Sequence, residues 1–320
     1  MGFVSRRIQS LNKKVFRRLT RQDLRDGLAA LGVSPGDLLY ANVSLRQLGH
    51  LTGGPIELVE AILELIGPAG TLVIPAWMSS EARPDGSEIF DVAGTPSRSG
   101  LLSETLRGLP GAVRSVHPVS SVVAVGARAA EVTEGHDRCA TPFGDGSPYA
   151  RLAALNARIL LIGAHLGGML RHIQDRVEFP NLYDKLPREF EVRDAAGHYR
   201  RYSTPVLRDL PPVVILPGSR PENRDYLLVP DYALMFPSER ERRVMEAGYL
   251  RFNRSRFLGR RERLQTRGIL RPGKIGGAEA ALLDGPRMLE QIEKDLAWDL
   301  LRFKEEYDAE ILSRLSLPVF

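Results

Sequence analysis

His172, Ile173, Gln174 and Asp175 form a His-x-x-Asp run that follows an apolar stretch and the glycine-containing loop 164–168. Residues three apart share one face of a helix, so Asp175 can meet His172 there. A carboxylate that fixes an imidazole tautomer makes the ring a better base, which is the logic of a general-base pair. The same spacing also occurs on solvated helix faces that do no chemistry. A second cluster, Arg114-Ser115-Val116-His117-Pro118-Val119-Ser120-Ser121, precedes another apolar run. Pro118 keeps His117 extended and so aims its imidazole. The competing reading is a histidine satisfied by a backbone carbonyl. Third is Ser44-Leu45-Arg46-Gln47, which offers a hydroxyl, backbone N–H groups and a guanidinium near a helix start. Such a loop can take a phosphate or carbonyl oxygen, or can simply join a strand to a helix. His50, His136, His165 and His198 rank lower, and no grouping has zinc-ligand spacing, so no metal is expected.

These clusters need elements that hold them. The sequence predicts a short helix over Leu24–Leu31 stopped at Gly32, then a strand over Leu38–Val43. Apolar residues at 56, 59, 62, 63 and 66 have the helical period and end at Gly67-Pro68. Thr71–Ile74 reads as a strand, Gly100–Leu109 as a helix, Ser121–Val125 as a buried strand, Ala127–Gly135 as a helix and Arg158–Ile162 as a strand. The alternation predicts an α/β fold, with helices on both faces of the sheet. Glu189–Tyr202 reads as a β-hairpin about Asp194–Gly197, which makes that sheet mixed. Gly273–Gly277 reads as a turn, and Pro286–Ile311 as a closing helix. All three clusters fall near predicted strand ends, where open α/β sheets bind their ligands.

Composition narrows the function classes. The 320 residues are 43% hydrophobic and 26% charged, as in ordinary globular chains. Neither a bilayer-spanning apolar run nor an apolar leader core stands in the sequence, so a cytoplasmic protein is expected. Cys139 is the single cysteine, which excludes an internal disulfide and a multi-cysteine metal site. The net charge of +5 is local: residues 1–26 alone carry +6, and a second basic cluster spans Glu239–Lys274. We therefore expect no nucleic-acid partner, a basic arm over 1–26 able to touch an anionic surface, and one domain over 27–320. That domain would carry a charged helical insertion near 238–265. There is no Walker loop, no GxGxxG and no internal repeat, so nucleotide hydrolysis and dinucleotide binding lose their usual support.

Taken in order, the motifs resemble the aminoglycoside 3-N-acetyltransferase family, also called antibiotic N-acetyltransferases. The resemblance runs through Gly36-Asp37-Leu38-Leu39, Ser44-Leu45, Gly53-Gly54, Gly67-Pro68-Ala69-Gly70-Thr71, Arg114-Ser115, His117-Pro118, Ser121, Gly146-Ser147-Pro148, Leu160–Gly163 and His172. It covers the chain from about Leu24 to Phe303. It implies that family's fold and acetyl transfer from acetyl-CoA to a primary amine. Carried over residue by residue, it makes His172 the base, Asp175 its orienting partner and His117 an assisting cleft residue. It assigns Ser44, Leu45, Arg46, Arg114, Ser115, Val116 and Ser121 to the cofactor cleft.

Three positions depart from the family pattern: Asn42 where the family has histidine, Met169 where it has threonine, and Asp175 where it has glutamate. By the same carry-over Asn42 and Met169 line the acceptor site, which points to a changed substrate. The favoured acceptor is a nucleotide-linked amino sugar of cell-surface polysaccharide synthesis, whose diphosphate the extra arginines would contact. The alternatives are an aminoglycoside or secondary-metabolite amine and, from another class, a catalytically silent CoA-binding or scaffold protein.

Overall fold

A computed structural model of the chain describes residues 18–77, 81–82, 88–164, 166–177, 182–183, 186–207 and 261–306. The first helix, α1 (Arg21–Leu31), starts three residues before the periodic signal, because Thr20 and Asp23 close a capping box around its first turn. Arg21 and Arg25 therefore belong to the folded body, not to an arm reaching residue 26. Arg21 pairs with Glu57, Glu60 and Glu64 of α3 (Pro55–Ile66), and Arg25 with Glu64. Residues 1–17 of that arm lie outside the described residues, as does the expected insertion except for its last residues, 261–265.

A seven-stranded sheet has the order β10-β11-β7-β1-β2-β6-β5. Its strands are β1 (Leu38–Val43), β2 (Thr71–Pro75), β5 (Val113–Arg114), β6 (Val122–Gly126), β7 (Arg158–Ile162), β10 (Leu270–Ile275) and β11 (Ala278–Leu283). The centre, β7-β1-β2, is parallel, and β6 and β11 flank it antiparallel. Alternate side chains feed two cores, as the two-residue period of a strand requires. Leu39, Ala41, Leu72, Ile74, Leu160 and Ile162 pack with α1, α3 and α4 (Leu101–Arg107). Tyr40, Val73, Ile159 and Leu283 pack on the other face. That second layer comprises α5 (Ala129–Thr133), α6 (Pro148–Ala154), α7 (Gly168–Arg176) and α8 (Gly285–Glu306). The expected α/β architecture with helices on both faces is the observed one.

Two expectations change. The hairpin β8 (Arg188–Arg193) and β9 (Tyr199–Thr204) does not join this sheet. It forms a separate four-stranded sheet with β3 (Glu81–Ala82) and β4 (Glu88–Asp91), and the main sheet is mixed because of β6 and β11 instead. The turn expected over Gly273–Gly277 is only two residues long, since Leu270–Ile275 is a strand at the sheet edge. An edge tolerates Pro272, whose missing N–H costs the ladder nothing on its outer side.

This topology gathers the three clusters. β1, β2 and β7 run parallel, so Ser44, Ala76 and Gly163 leave the sheet at one edge. The antiparallel β6 begins at that same edge and brings residues 114–121 with it. Val116 and Val119 pack against the core of the small sheet, so the segment lies between the two sheets. No helix among the described residues is long and apolar enough to cross a membrane.

Candidate active site

His172 lies on α7, whose start is fixed by close backbone approach. Gly167 has φ +53°, a left-handed conformation that glycine adopts freely, and the methylene of a larger residue would meet Asn42. At Gly168 a Cβ would stand 2.1 Å from Tyr149 Cε1, and the Gly168 N–H donates to the Tyr40 hydroxyl at 3.2 Å. The helix is thus seated on the carboxyl end of β1. His172 is buried, and its Nδ1–H donates to the Phe143 carbonyl at 2.7 Å. A carbonyl only accepts, so Nδ1 carries the proton and Nε2 carries the lone pair. Nε2 is buried and has no hydrogen-bond partner among the described residues. Burial lowers the pKa of the ring, and the Phe143 hydrogen bond opposes this only in part. At neutral pH the ring is an uncharged acceptor held in one tautomer.

Asp175 does not hold it. No hydrogen bond joins the two side chains. Asp175 Oδ2 instead accepts from Thr141 Oγ1 at 2.7 Å and from the Tyr183 hydroxyl. A shared helix face brings the residues close without deciding their partners, and a backbone carbonyl occupies the position expected for the carboxylate.

His117 is also corrected. It is fully buried, its Nδ1 accepts from the backbone N–H of Val119 at 3.1 Å and of Ser120 at 3.2 Å, and its Nε2–H donates to Thr204 Oγ1 at 3.2 Å. Both nitrogens are spent inside the protein, on two backbone N–H groups and a threonine hydroxyl and not on the backbone carbonyl of the competing reading. The His-Pro turn that aims the ring does aim it, but into the protein.

The cofactor set divides. Arg114 is buried, with Nε–H donating to Ser121 Oγ at 3.1 Å and the two terminal nitrogens to the carbonyls of Ala76 at 2.7 Å and of Thr95. Its guanidinium also lies over the Phe90 ring. Ser121 donates to Ala76 O at 2.6 Å, and Ser115 Oγ accepts from Val122 N–H and donates to His136 Nδ1, both at 2.9 Å. Val116 packs on the small sheet. Arg114, Ser115 and Ser121 thus staple β5 and β6 to the sheet edge with their side chains turned into the protein, while Val116 joins that segment to the small sheet. Ser44, Leu45 and Arg46 differ. Ser44 caps the short helix α2 (Leu45–Leu48), Leu45 packs half-buried on the first core, and Arg46 is exposed with no partner among the described residues.

Of the two acceptor-side positions, Met169 is fully buried in the second core. Asn42 follows Tyr40 on the α7 side of β1, and its buried side-chain amide lies beside the Tyr40 hydroxyl, on which it acts as a weak hydrogen-bond donor. On α7 two buried side-chain nitrogens, His172 Nε2 and Gln174 Nε2, lack a hydrogen-bond partner among the described residues, and of these His172 Nε2 carries a lone pair. His136, ranked low from sequence, is fully buried. Its Nε2–H donates to the Pro142 carbonyl at 2.9 Å, and its ring stacks on His117 at 4.5 Å between centroids. Phe143, Thr141 and Tyr183 were not legible at all, since their contribution is one carbonyl and two ordinary hydroxyls. Among the described residues there is no group of three or more His, Cys, Asp or Glu able to hold a metal. His165 lies outside them.

Comparison with known proteins agrees with this architecture. The sequence model described as aminoglycoside 3-N-acetyltransferase matches residues 41–297. Aminoglycoside N(3)-acetyltransferase III of a Salmonella species is 35% identical over 179 residues, which cover 51% of this chain and 62% of that protein. Aminoglycoside N(3)-acetyltransferase VIII of Streptomyces fradiae is 35% identical over 181 residues, 51% and 63% of the two chains. The matched stretch thus spans less than two thirds of these curated relatives. Among solved structures, AAC-IIIb in a binary complex with CoASH superposes with TM-score 0.64 at 24% identity, over 87% of this chain and 96% of that one. Aminoglycoside acetyltransferase AAC(3)-Xa gives 0.63 at 26% identity, over 88% and 94%.

Proposed function

The chain belongs to the aminoglycoside 3-N-acetyltransferase family, and we propose that it transfers an acetyl group from acetyl-CoA to a primary amine of an aminoglycoside-class amino sugar. The observation that carries this reading is His172: a buried imidazole with one tautomer locked and an unpartnered Nε2 lone pair.

Acetyl-CoA, when bound, supplies an acyl carbon activated as a thioester. The protein's own task is the proton. An attacking amine loses a proton as its C–N bond forms, and His172 Nε2 accepts it. The ring then becomes an imidazolium. The Phe143 carbonyl at Nδ1 stabilises that charge, and the nearby Asp175 carboxylate acts in the same direction. The proton is then available to the departing thiolate. At the cofactor end the residues fit in part: Arg46 is exposed and free to hold a phosphorylated ligand, Ser44 and Leu45 build the short helix that presents it, and Arg114, Ser115 and Ser121 support the edge from behind.

The nucleotide-sugar reading loses ground. It rested on the changed acceptor-side positions and on the extra arginines, while the relatives at 35% identity are named for aminoglycosides. The test is release of free CoA thiol across aminoglycosides, nucleotide-linked amino sugars and simple amines. Release with an aminoglycoside, lost about 100-fold or more in His172→Ala with CoA binding retained, is expected. Release only with nucleotide sugars overturns the acceptor assignment. CoA binding without release for any amine means the silent binding protein instead.

A further inference from the structure

We propose that Thr141 is a positioning residue: anchored on Asp175, its hydroxyl holds the segment 141–143 so that the Phe143 carbonyl meets His172 Nδ1. The carboxylate thereby acts on the histidine through a strap of backbone and not by touching it. This deepens the acetyltransfer reading and rests on it only for the rate.

Three successive residues of the strap are tied down. Thr141 Oγ1 donates to Asp175 Oδ2 at 2.7 Å. The Pro142 carbonyl accepts from His136 Nε2–H at 2.9 Å and from Ser120 Oγ at 3.2 Å. The Phe143 carbonyl accepts from His172 Nδ1–H at 2.7 Å. His172 and Asp175 stand on one helix, so a ring closes through two residues of strap spacing and three of helix spacing. Tyr183 donates its hydroxyl to the same Asp175 oxygen, and burial keeps that phenol protonated. The carboxylate thus has two donors and no imidazole among its hydrogen-bond partners. The Phe143 side chain is fully buried, with its ring 4.9 Å from Tyr149 and 6.1 Å from Trp77, centroid to centroid. That packing holds the strap at its far end, so loss of the Thr141 anchor loosens the carbonyl without freeing it. A reacting group displaced by about 1 Å loses on the order of 100-fold in rate, and a partial displacement loses less.

The experiment compares full-length Thr141→Val, which keeps the shape and removes the donor, with Thr141→Ser, which keeps the donor. Nitrogen-15 NMR of the histidine rings reads the tautomer and titration of His172 without substrate, and thiol release reads turnover. The groups that act on this ring are Asp175 and Arg176 of its own helix, Glu293 of α8 and the Phe143 carbonyl. In Thr141→Val the His172 signal is expected to move from pure Nδ1–H toward a tautomer mixture, and its pKa to fall as the carbonyl bond weakens. Turnover should drop about 10-fold with KM for acetyl-CoA unchanged, and Thr141→Ser should restore all three. If Thr141→Val does not fold, Thr141→Ala carries the same comparison. An unchanged tautomer and pKa in the folded variant, or equal defects in Thr141→Ser, overturns the proposal. A protein that shows the tautomer change but transfers no acetyl group refutes the assigned reaction and leaves the strap intact.

Discussion

Acid should unfold this protein early, and His136 sets a large share of the effect. Its ring is fully buried, tied at Nε2 to Pro142 and at Nδ1 to Ser115, and stacked on a second buried histidine. Burial pushes its pKa down to about 3, with the Pro142 hydrogen bond opposing and Arg151 adding to the depression. In the unfolded chain the ring titrates near 6.5. The folded state therefore refuses a proton that the unfolded state accepts. Stability is complete above pH 6.5 and falls as the pH drops toward 3, by about 1.4 kcal/mol per unit at most. At pH 4.5 the loss from this one residue is about 2–3 kcal/mol, a large part of a typical folding free energy. His117 and His172 are depressed in the same direction. The carboxylates of Asp91, Glu104 and Glu279 are lowered as well, so their contribution begins to be lost below about pH 5 as the unfolded carboxylates take up protons, equally in the wild type and in a His136 variant. Urea unfolding of the wild type and His136→Gln at pH 7, 6, 5 and 4.5 isolates the term. Glutamine does not titrate. The variant should be less stable at pH 7, yet lose about 2–3 kcal/mol less than the wild type across the window. Parallel stability curves for the two proteins would refute the argument.

Arg114→Lys should fold poorly, since a lysine cannot serve the three acceptors that the fork reaches and leaves a buried charge underpaired. A cost on the order of 3–5 kcal/mol in urea unfolding, with CoA affinity per folded molecule unchanged, separates a structural arginine from a phosphate ligand. Arg46→Ala should do the reverse: an unchanged melting temperature and a CoA dissociation constant raised roughly 3- to 10-fold by calorimetry, about 1 kcal/mol for an exposed contact. Gly168→Ala places a methyl 2.1 Å from Tyr149. Overpacking of this kind costs typically 1–3 kcal/mol, and the shifted start of α7 should lower turnover even where thermal unfolding shows the protein folded.

Much of the architecture was legible because its signals are local. β1 and β7 begin and end at the residues predicted from their apolar runs, and α1 and α3 stop at the predicted Gly32 and Gly67. Where the signal was not local, it failed. Hydrogen bonds between strands say nothing in sequence about which sheet a hairpin joins, so β8 and β9 were assigned to the wrong one. β10 was hidden by Pro272 and Gly273, which only an edge position tolerates.

The same division runs through the site. Residue types alone determined that a histidine after β7, a Ser-Leu-Arg loop after β1 and an Arg-Ser-x-His-Pro segment before β6 would gather at one edge, because parallel strands put their carboxyl ends together. Only the tertiary structure decided which of those polar atoms remain free. Arg114, Ser115, Ser121 and His117 spend their hydrogen bonds inside the protein, where an unmet donor or acceptor would cost about 1–3 kcal/mol. Met169 is core, and the partner of His172 is a carbonyl that every residue type carries. A side chain's chemistry is written in its type, but its availability depends on what the fold brings within about 3 Å of it.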